Sequence, residues 1–162
     1  MNLPPWLIDC AIYYAFRAWG YTPSNAEWIV MQSRGETGNY TSKAFREDKN
    51  LFGMSRVTQR ETTQSGWRYA QDGSDPPNTI GRYKTLYDSI RDRRLWDTER
   101  AGLDGKEQNY QSRLDAKWGV PGYLPWVAKF RNNLELDAGR KYVMGGFFVL
   151  LAAVYLAIRA KK

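Results

Sequence analysis

The sequence contains no histidine and only one cysteine, Cys10. A Ser-His-Asp or Cys-His catalytic arrangement is therefore excluded, and so is a zinc site built from histidines or from several cysteines. The single cysteine also excludes an intramolecular disulfide. Any catalysis has to come from carboxylates, tyrosine, serine, threonine or lysine, and the sequence predicts neither a metal site nor a cofactor.

Dense runs of basic residues are missing from most of the chain, although the formal net charge is +7. Five basic residues and no acidic residue lie in 140–162, which leaves 19 basic and 17 acidic residues, a net charge of +2, for residues 1–139. Nucleic-acid-binding proteins usually carry a basic stripe or a recognisable motif in the folded body. Binding to nucleic acid is therefore not expected, and the terminal basic residues are typical of the flanks of a membrane segment.

One apolar stretch, Tyr142–Ile158, contains 17 residues without a charge. As a helix it would span about 25 Å, at the short end of what a bilayer requires. The basic residues on both sides would snorkel to the lipid headgroups; the alternative is a buried core helix. We expect a single-pass membrane anchor at 139–162 behind a folded domain at 1–138. Its orientation stays open, because two basic residues precede the segment and three follow it.

Helical patterns dominate the folded domain. A first helix is predicted to begin at Pro4-Pro5 and to end before Gly20. A second helix is predicted to begin at a capping-box spacing from Ser24 to Glu27 and to end near Gly35. Further helices are predicted in three later segments, at 87–100, 110–116 and 125–136.

Residues 54–83 have a different composition, rich in Val, Thr, Gln, Trp and Tyr, with turn residues at 65–66 and 72–77. This pattern indicates a β-hairpin with a tight loop. The sequence thus predicts an α+β fold, mainly α, with one small β-hairpin lobe.

Two motifs follow each other in a recognisable order. The first is Gln32-Ser-Arg-Gly-Glu36-Thr-Gly38 with Asn50-Leu-Phe-Gly53 behind it, and the second is Gly81-Arg-Tyr83 with Asp88-Ser-Ile90 behind it. They resemble the glucosaminidase-type peptidoglycan hydrolases of the lysozyme-like superfamily, in which a helix ends in Glu-Ser/Thr-Gly and an Asn-Leu-Phe-Gly turn opens the β lobe. The resemblance implies a lysozyme-like helical domain, peptidoglycan glycan strands as substrate, and Glu36 as the general acid.

Glu36 also has a physical reason to act as an acid. The second predicted helix places it at a helix C-terminus, where the negative end of the macrodipole disfavours the ionised carboxylate. Burial in a cleft would raise its pKa further, and a glycosidase acid has to be protonated near neutral pH. The alternative is a solvated glutamate that follows a helix.

A second catalytic group is harder to assign. Glycoside hydrolysis usually needs another carboxylate about 5–10 Å from the first, and the predicted hairpin offers Glu61, Asp72 and Asp75. The resemblance adds Tyr123, which follows Gly122 as in the family and could stabilise the reacting sugar or position water. Without a second carboxylate, the substrate N-acetyl group or a sugar hydroxyl would have to attack, and attack by the hydroxyl is lytic transglycosylation.

Aromatic side chains are candidate glycan contacts, because flat ring faces pack against the apolar faces of sugars. The aromatic candidates are Tyr40, Trp67, Tyr69, Tyr83 and Trp118. Asn50 is a further candidate, as a turn residue that could also face substrate. For each of them the alternative is a place in the core.

These features predict a membrane-anchored enzyme that cleaves peptidoglycan glycan strands, either an endo-N-acetylglucosaminidase or a lytic transglycosylase. The N-terminal residues lack a basic segment and an uninterrupted apolar core, so no secretory signal peptide is expected. A C-terminal anchor without a signal peptide also fits an enzyme carried in the membrane of a phage virion. The alternative of a different class is a non-catalytic, wall-binding structural membrane protein.

Overall fold

The computed structural model describes residues 3–71, 77–118, 122–131 and Leu134. Within these ranges the chain is mainly helical with one two-stranded antiparallel sheet, so the predicted α+β class is confirmed. The elements in chain order are α1 (Pro5–Ala18), α2 (Pro23–Thr37), α3 (Lys43–Asp48), β1 (Gly66–Tyr69), β2 (Thr79–Arg82), α4 (Leu86–Leu95), a π-helical segment (Trp96–Ala101), α5 (Tyr110–Trp118) and α6 (Tyr123–Ala128).

Helices α1 and α2 pack against each other in the centre of the core. Ile12 and Phe16 of α1 and Ile29 of α2 are completely buried. Arg34 of α2 forms a buried ion pair with Asp9 of α1, with 2.6 Å between Nη2 and Oδ2. Removing either partner alone would leave a buried charge without compensation, so this pair holds the two central helices in one arrangement.

Helix α2 differs at both ends from the prediction. Its N-cap is Thr22, whose hydroxyl accepts a hydrogen bond from the backbone N–H of Asn25 at 3.2 Å. The predicted cap at Ser24 is wrong, because a proline follows Thr22 and takes the first helical position. The helix ends at Thr37, two residues later than predicted, where Gly38 adopts the left-handed conformation with φ 55°. The predicted acid therefore lies inside the last turn.

The sequence does not predict the short helix α3, which joins the helical body to the hairpin. Ser42 caps it by accepting a hydrogen bond from the backbone N–H of Phe45. Asp48, at its end, is buried and binds Arg68 of β1 at 2.7 Å and Arg82 of β2 at 3.0 Å. One carboxylate thus holds both strands of the hairpin to the helical body.

The hairpin is confirmed but is shorter than the predicted β region. β1 and β2 pair in antiparallel register with Trp67 opposite Gly81. Residues 53–65 lead into β1 without regular helix or strand. The predicted tight loop falls largely in 72–76, outside the described residues.

The later helices also begin and end at different residues. Thr85 and Asp88 form a capping box that starts α4 at Leu86, and beyond Leu95 the chain continues as a π-helix rather than as the predicted α-helix. The predicted helix at 110–116 is confirmed and extends to 118. The predicted helix at 125–136 is wrong in its bounds, since α6 is Tyr123–Ala128. Pro125 lies in the first turn of α6, where a proline is tolerated, and it does not mark the first residue of the helix.

Among the helices of the described ranges, none is both long enough and apolar enough to span a bilayer. The predicted anchor Tyr142–Ile158 lies outside those ranges.

Candidate active site

Glu36 lies in the last turn of α2, one residue before the helix ends. Its side chain is half-buried and lies against the backbone of Gly53. A methyl group built on Gly53 would collide with Oε2 of Glu36, and Gly53 has φ 62°. Glycine is therefore needed there for two reasons: the left-handed backbone and the close approach of the carboxyl group.

Tyr123, the first residue of α6, donates a hydrogen bond from its hydroxyl to Oε1 of Glu36 at 2.8 Å. The two residues are 87 positions apart in the chain. Helix α6 approaches α2 closely at Gly35, where a methyl group would lie 2.6 Å from Cη2 of Trp126. The structure thus brings two predicted site residues together, and a small residue beside the acid makes room for the helix that carries the second.

Burial raises the pKa of Glu36 above its ordinary value, because desolvation disfavours the ionised carboxylate. The hydrogen bond from Tyr123 and the positive charge of Arg93 lower the pKa, but by less. When the group is protonated, the carbonyl oxygen is the better acceptor for the tyrosine hydroxyl. The proton then belongs on Oε2, so the acid presents its proton beside Gly53.

A buried polar network lies beside this pair. Gln32, one helical turn before the acid, accepts a hydrogen bond from Nε of Arg93 at 3.2 Å. Arg93 is fully buried and pairs with Asp97 at 2.5 Å. The hydroxyls of Tyr21 and Tyr110 each donate to Asp97 at 2.8 Å. These bonds hold a permanent positive charge close enough to lower the pKa of the acid.

Of the three candidate second acids, the structure describes only Glu61. Glu61 is exposed, and its backbone N–H donates to a carboxylate oxygen of Glu99 at 3.1 Å. Asp72 and Asp75 lie outside the described residues. In the part of the chain that the structure describes, no other carboxylate hydrogen-bonds to Glu36.

Two of the predicted glycan contacts are buried tyrosines. The hydroxyl of Tyr40 donates to Asp9 at 2.7 Å, and that of Tyr83 donates to Asp92 at 2.7 Å. Their side chains are 6 % and 3 % exposed. The expectation that they face a glycan groove is therefore corrected: both rings pack in the core, and both hydroxyls satisfy buried carboxylates.

Asn50 is corrected in the same way. It is buried, and its side-chain amide donates to the backbone carbonyls of Met54 at 2.8 Å and Gly81 at 3.0 Å. Its side-chain oxygen accepts from the backbone N–H of Met54 at 3.0 Å. Asn50 therefore closes the turn that presents Gly53 to the acid and ties that turn to β2.

Trp67 and Tyr69 keep the exposure that a glycan contact needs. They lie two residues apart on β1, their rings meet edge-to-face at 5.1 Å, and Tyr69 is 57 % exposed. The guanidinium of Arg56 stacks over the Trp67 ring at 4.5 Å. The side chain of Trp118 lies outside the described part of the structure.

Sequence reasoning missed Gln32 and Arg93 as site residues. The i,i+4 spacing of Arg93 and Asp97 within the predicted helix at 87–100 was a possible signal, since such pairs face each other. The same spacing is common on solvated helices, so it does not by itself indicate burial.

The Tyr123→Phe variant is expected to raise the pKa of Glu36 further, because it removes a hydrogen bond that stabilises the ionised carboxylate. Titration of the side-chain carboxyl carbon of Glu36 by NMR would measure the midpoint in both proteins. Tyr40→Phe is the matched control, since that buried hydroxyl bonds to Asp9 and is not part of the network around Glu36. A midpoint in Tyr123→Phe at or below the native one would contradict the role given to Tyr123.

The described residues hold no cluster of three His, Cys, Asp or Glu side chains arranged to bind a metal ion.

Comparisons with protein-family models, with curated proteins and with solved structures find no match to this chain.

Proposed function

We propose that this chain cleaves the glycan strands of peptidoglycan, with a lysozyme-like arrangement of helix end and hairpin around Glu36 as the general acid. The observation that supports it best is the half-buried carboxyl group of raised pKa between the Tyr123 hydroxyl and Gly53. Such a group stays protonated to higher pH than an ordinary glutamate, as proton donation to a glycosidic oxygen requires.

The membrane anchor is a separate part of the proposal. The segment 142–158 would keep the enzyme at a bilayer, in a cell or in a phage virion, on the strength of its apolar composition and basic flanks. Extraction of the protein from membranes by high-pH carbonate would contradict the anchor.

In the proposed reaction, Glu36 donates the proton on Oε2 to the glycosidic oxygen while the bond from that oxygen to C1 breaks. The leaving sugar departs as an alcohol, and positive charge develops on C1 and the ring oxygen. In the glucosaminidase reaction, the acetamido oxygen of the same sugar attacks C1. Water then opens the resulting oxazolinium and gives its proton to the Glu36 carboxylate.

The transglycosylase reaction is the alternative at the same site. There the C6 hydroxyl of the sugar attacks C1 and returns its proton to the Glu36 carboxylate, which closes a 1,6-anhydro ring. Both reactions use one carboxyl group, which agrees with a site in which Glu36 accepts a hydrogen bond from the hydroxyl of Tyr123. Tyr123 is then a positioning residue that keeps the proton on the reactive oxygen.

The proposal is tested by incubating the protein with isolated sacculi and following their turbidity. We expect the turbidity to fall, and mass spectrometry of the soluble products separates reducing N-acetylglucosamine ends, which indicate the hydrolase, from anhydro ends, which indicate the transglycosylase. Glycan strands that stay intact after prolonged digestion would contradict both proposed reactions. Binding to sacculi without cleavage would identify the non-catalytic wall-binding protein instead.

A further inference from the structure

An open cleft of about 560 Å³ begins at Gly53, the residue that touches the carboxyl group of Glu36. Residues 53–60 form one wall, and side chains from the π-helical segment and from α5 form the other. Its volume lies within the range of about 300–1,000 Å³ that is usual for ligand sites. The cleft therefore leads away from the proposed acid and is large enough for a group attached to the bound sugar.

The charges that line this cleft are mostly positive. Its lining contains four basic side chains and one acidic side chain, namely Arg56, Arg60, Arg100, Lys117 and Glu99. Arg60 is neutralised, since it pairs with the buried Asp92 at 2.8 Å. Three cations then face one carboxylate, a net charge of +2.

The remaining cations are available to a ligand. Arg100 and Lys117 are exposed, and neither pairs with a carboxylate among the described residues. Arg56 lies over the Trp67 ring, a contact that orients its guanidinium without neutralising it. Positive side chains that lie together without anionic partners raise the local concentration of anions.

Buried contacts fix the irregular wall of the cleft. Asp92 of α4 accepts hydrogen bonds from Arg60 at 2.8 Å, from the hydroxyl of Thr62 at 2.7 Å and from that of Tyr83 at 2.7 Å. This carboxylate ties the irregular wall to the helical body. On the other side, the π-helical segment carries both Trp96 and the cation at position 100 to the lining. Single π-helical turns are uncommon and occur frequently at functional sites.

We infer that this cleft binds the carboxylates of the stem peptide carried by the glycan strand; the inference rests on the proposed function. The sugars of the strand are neutral once their lactyl groups are linked to peptide, so the free carboxylates of the stem are the anions nearest the scissile bond. The net charge of +2 finds no opposite charge on neutral sugar alone. It complements an acidic peptide that leaves the strand beside Gly53, and such complementarity favours specificity and the rate of association.

The test compares two substrates: glycan strands that carry stem peptides, and the same strands after the carboxylates of their stem peptides have been converted to amides, which removes the anions and leaves the lactyl groups linked. The Arg100→Gln/Lys117→Gln variant is expected to lose roughly three- to tenfold in kcat/KM on peptide-bearing strands, mainly through KM, because each exposed charge contributes modestly. On amidated strands the variant should stay within about twofold of native, and the difference between the two substrates should shrink in high salt.

The matched control is Lys84→Gln/Arg91→Gln, which removes the same charge from exposed positions outside the cleft lining. It should behave as native on both substrates. Equal losses on both strands, no loss on either, or inhibition of the native enzyme by DNA as strongly as by free stem peptide would overturn the inference. Failure of the native protein to cleave either substrate would instead overturn the proposed function.

Discussion

Replacement of Glu36 by glutamine is expected to lower the rate of glycan-strand cleavage by about 10²- to 10⁴-fold, the usual contribution of a positioned general acid. The amide oxygen can still accept the hydrogen bond that Tyr123 donates at 2.8 Å. The amide cannot donate a proton that leaves with the sugar. The loss should therefore fall on kcat, whereas the affinity for strands should change little, and initial rates on purified strands would separate the two.

The same substitution is expected to raise the stability of the folded protein as the pH rises. A loss of activity would therefore not come from unfolding. Burial raises the pKa of Glu36 in the folded protein above its value in the unfolded chain. The carboxyl group therefore favours the folded state only while it is protonated, and this stabilisation is lost as the pH rises through the folded pKa. Glutamine does not ionise, so the free energy of unfolding of the variant should rise relative to native protein over that pH range.

Denaturant melts of both proteins at acidic and neutral pH would measure this difference. Cleavage by Glu36→Gln at more than a tenth of the native rate would remove Glu36 from the mechanism. A relative stability that falls with increasing pH would show that the folded state favours the charged carboxylate, and a charged carboxylate is no general acid near neutrality.

The parts of the site that could be predicted from the sequence are those set by neighbouring residues. The sequence predicts a helix end near Gly35, and the helix ends two residues later at Thr37, before the left-handed Gly38, so Glu36 lies at the end of the helix in both. The turn that ends in Gly53 is likewise local, because Asn50 bonds back to Met54 four residues later. Short-range patterns of this kind are visible in a string of residues.

The remaining features depend on contacts between distant parts of the chain. Tyr123 lies 87 positions after Glu36, and Arg93 lies 61 positions after Gln32. The sequence predicts that Tyr40 faces sugar, but an aromatic ring suits a core as well as a glycan groove. Its burial follows from Asp9, whose carboxylate has to be satisfied inside the protein. Such contacts cannot be predicted from residue type and spacing, because they form only when the helices pack together.

Gly53→Ala is expected to lower the cleavage rate by about 10²-fold, the cost typical of a reacting group displaced by about 1 Å. The added methyl group would collide with Oε2 of Glu36, the oxygen to which we assign the proton. The end of a flexible side chain moves more easily than the backbone, so the carboxyl group should swing away and lose its bond to Tyr123. The loss would then come from misplacement of the acid, with Glu36 still present.

Gly102→Ala separates this displacement from backbone strain. Gly102 has φ 64°, close to the φ 62° of Gly53, and a methyl group there would meet nothing within 4 Å. Both variants should lose about 1–2 kcal/mol from the left-handed conformation, but only Gly53→Ala should lose more than that, together with activity. Cβ of Glu36 would lie 3.8 Å from the new methyl group, an ordinary contact. In a Glu36→Ala background the extra destabilisation should therefore vanish, and the two alanine variants should melt alike. An extra cost that persists without the carboxyl group would mean that Gly53 serves the turn and not the acid.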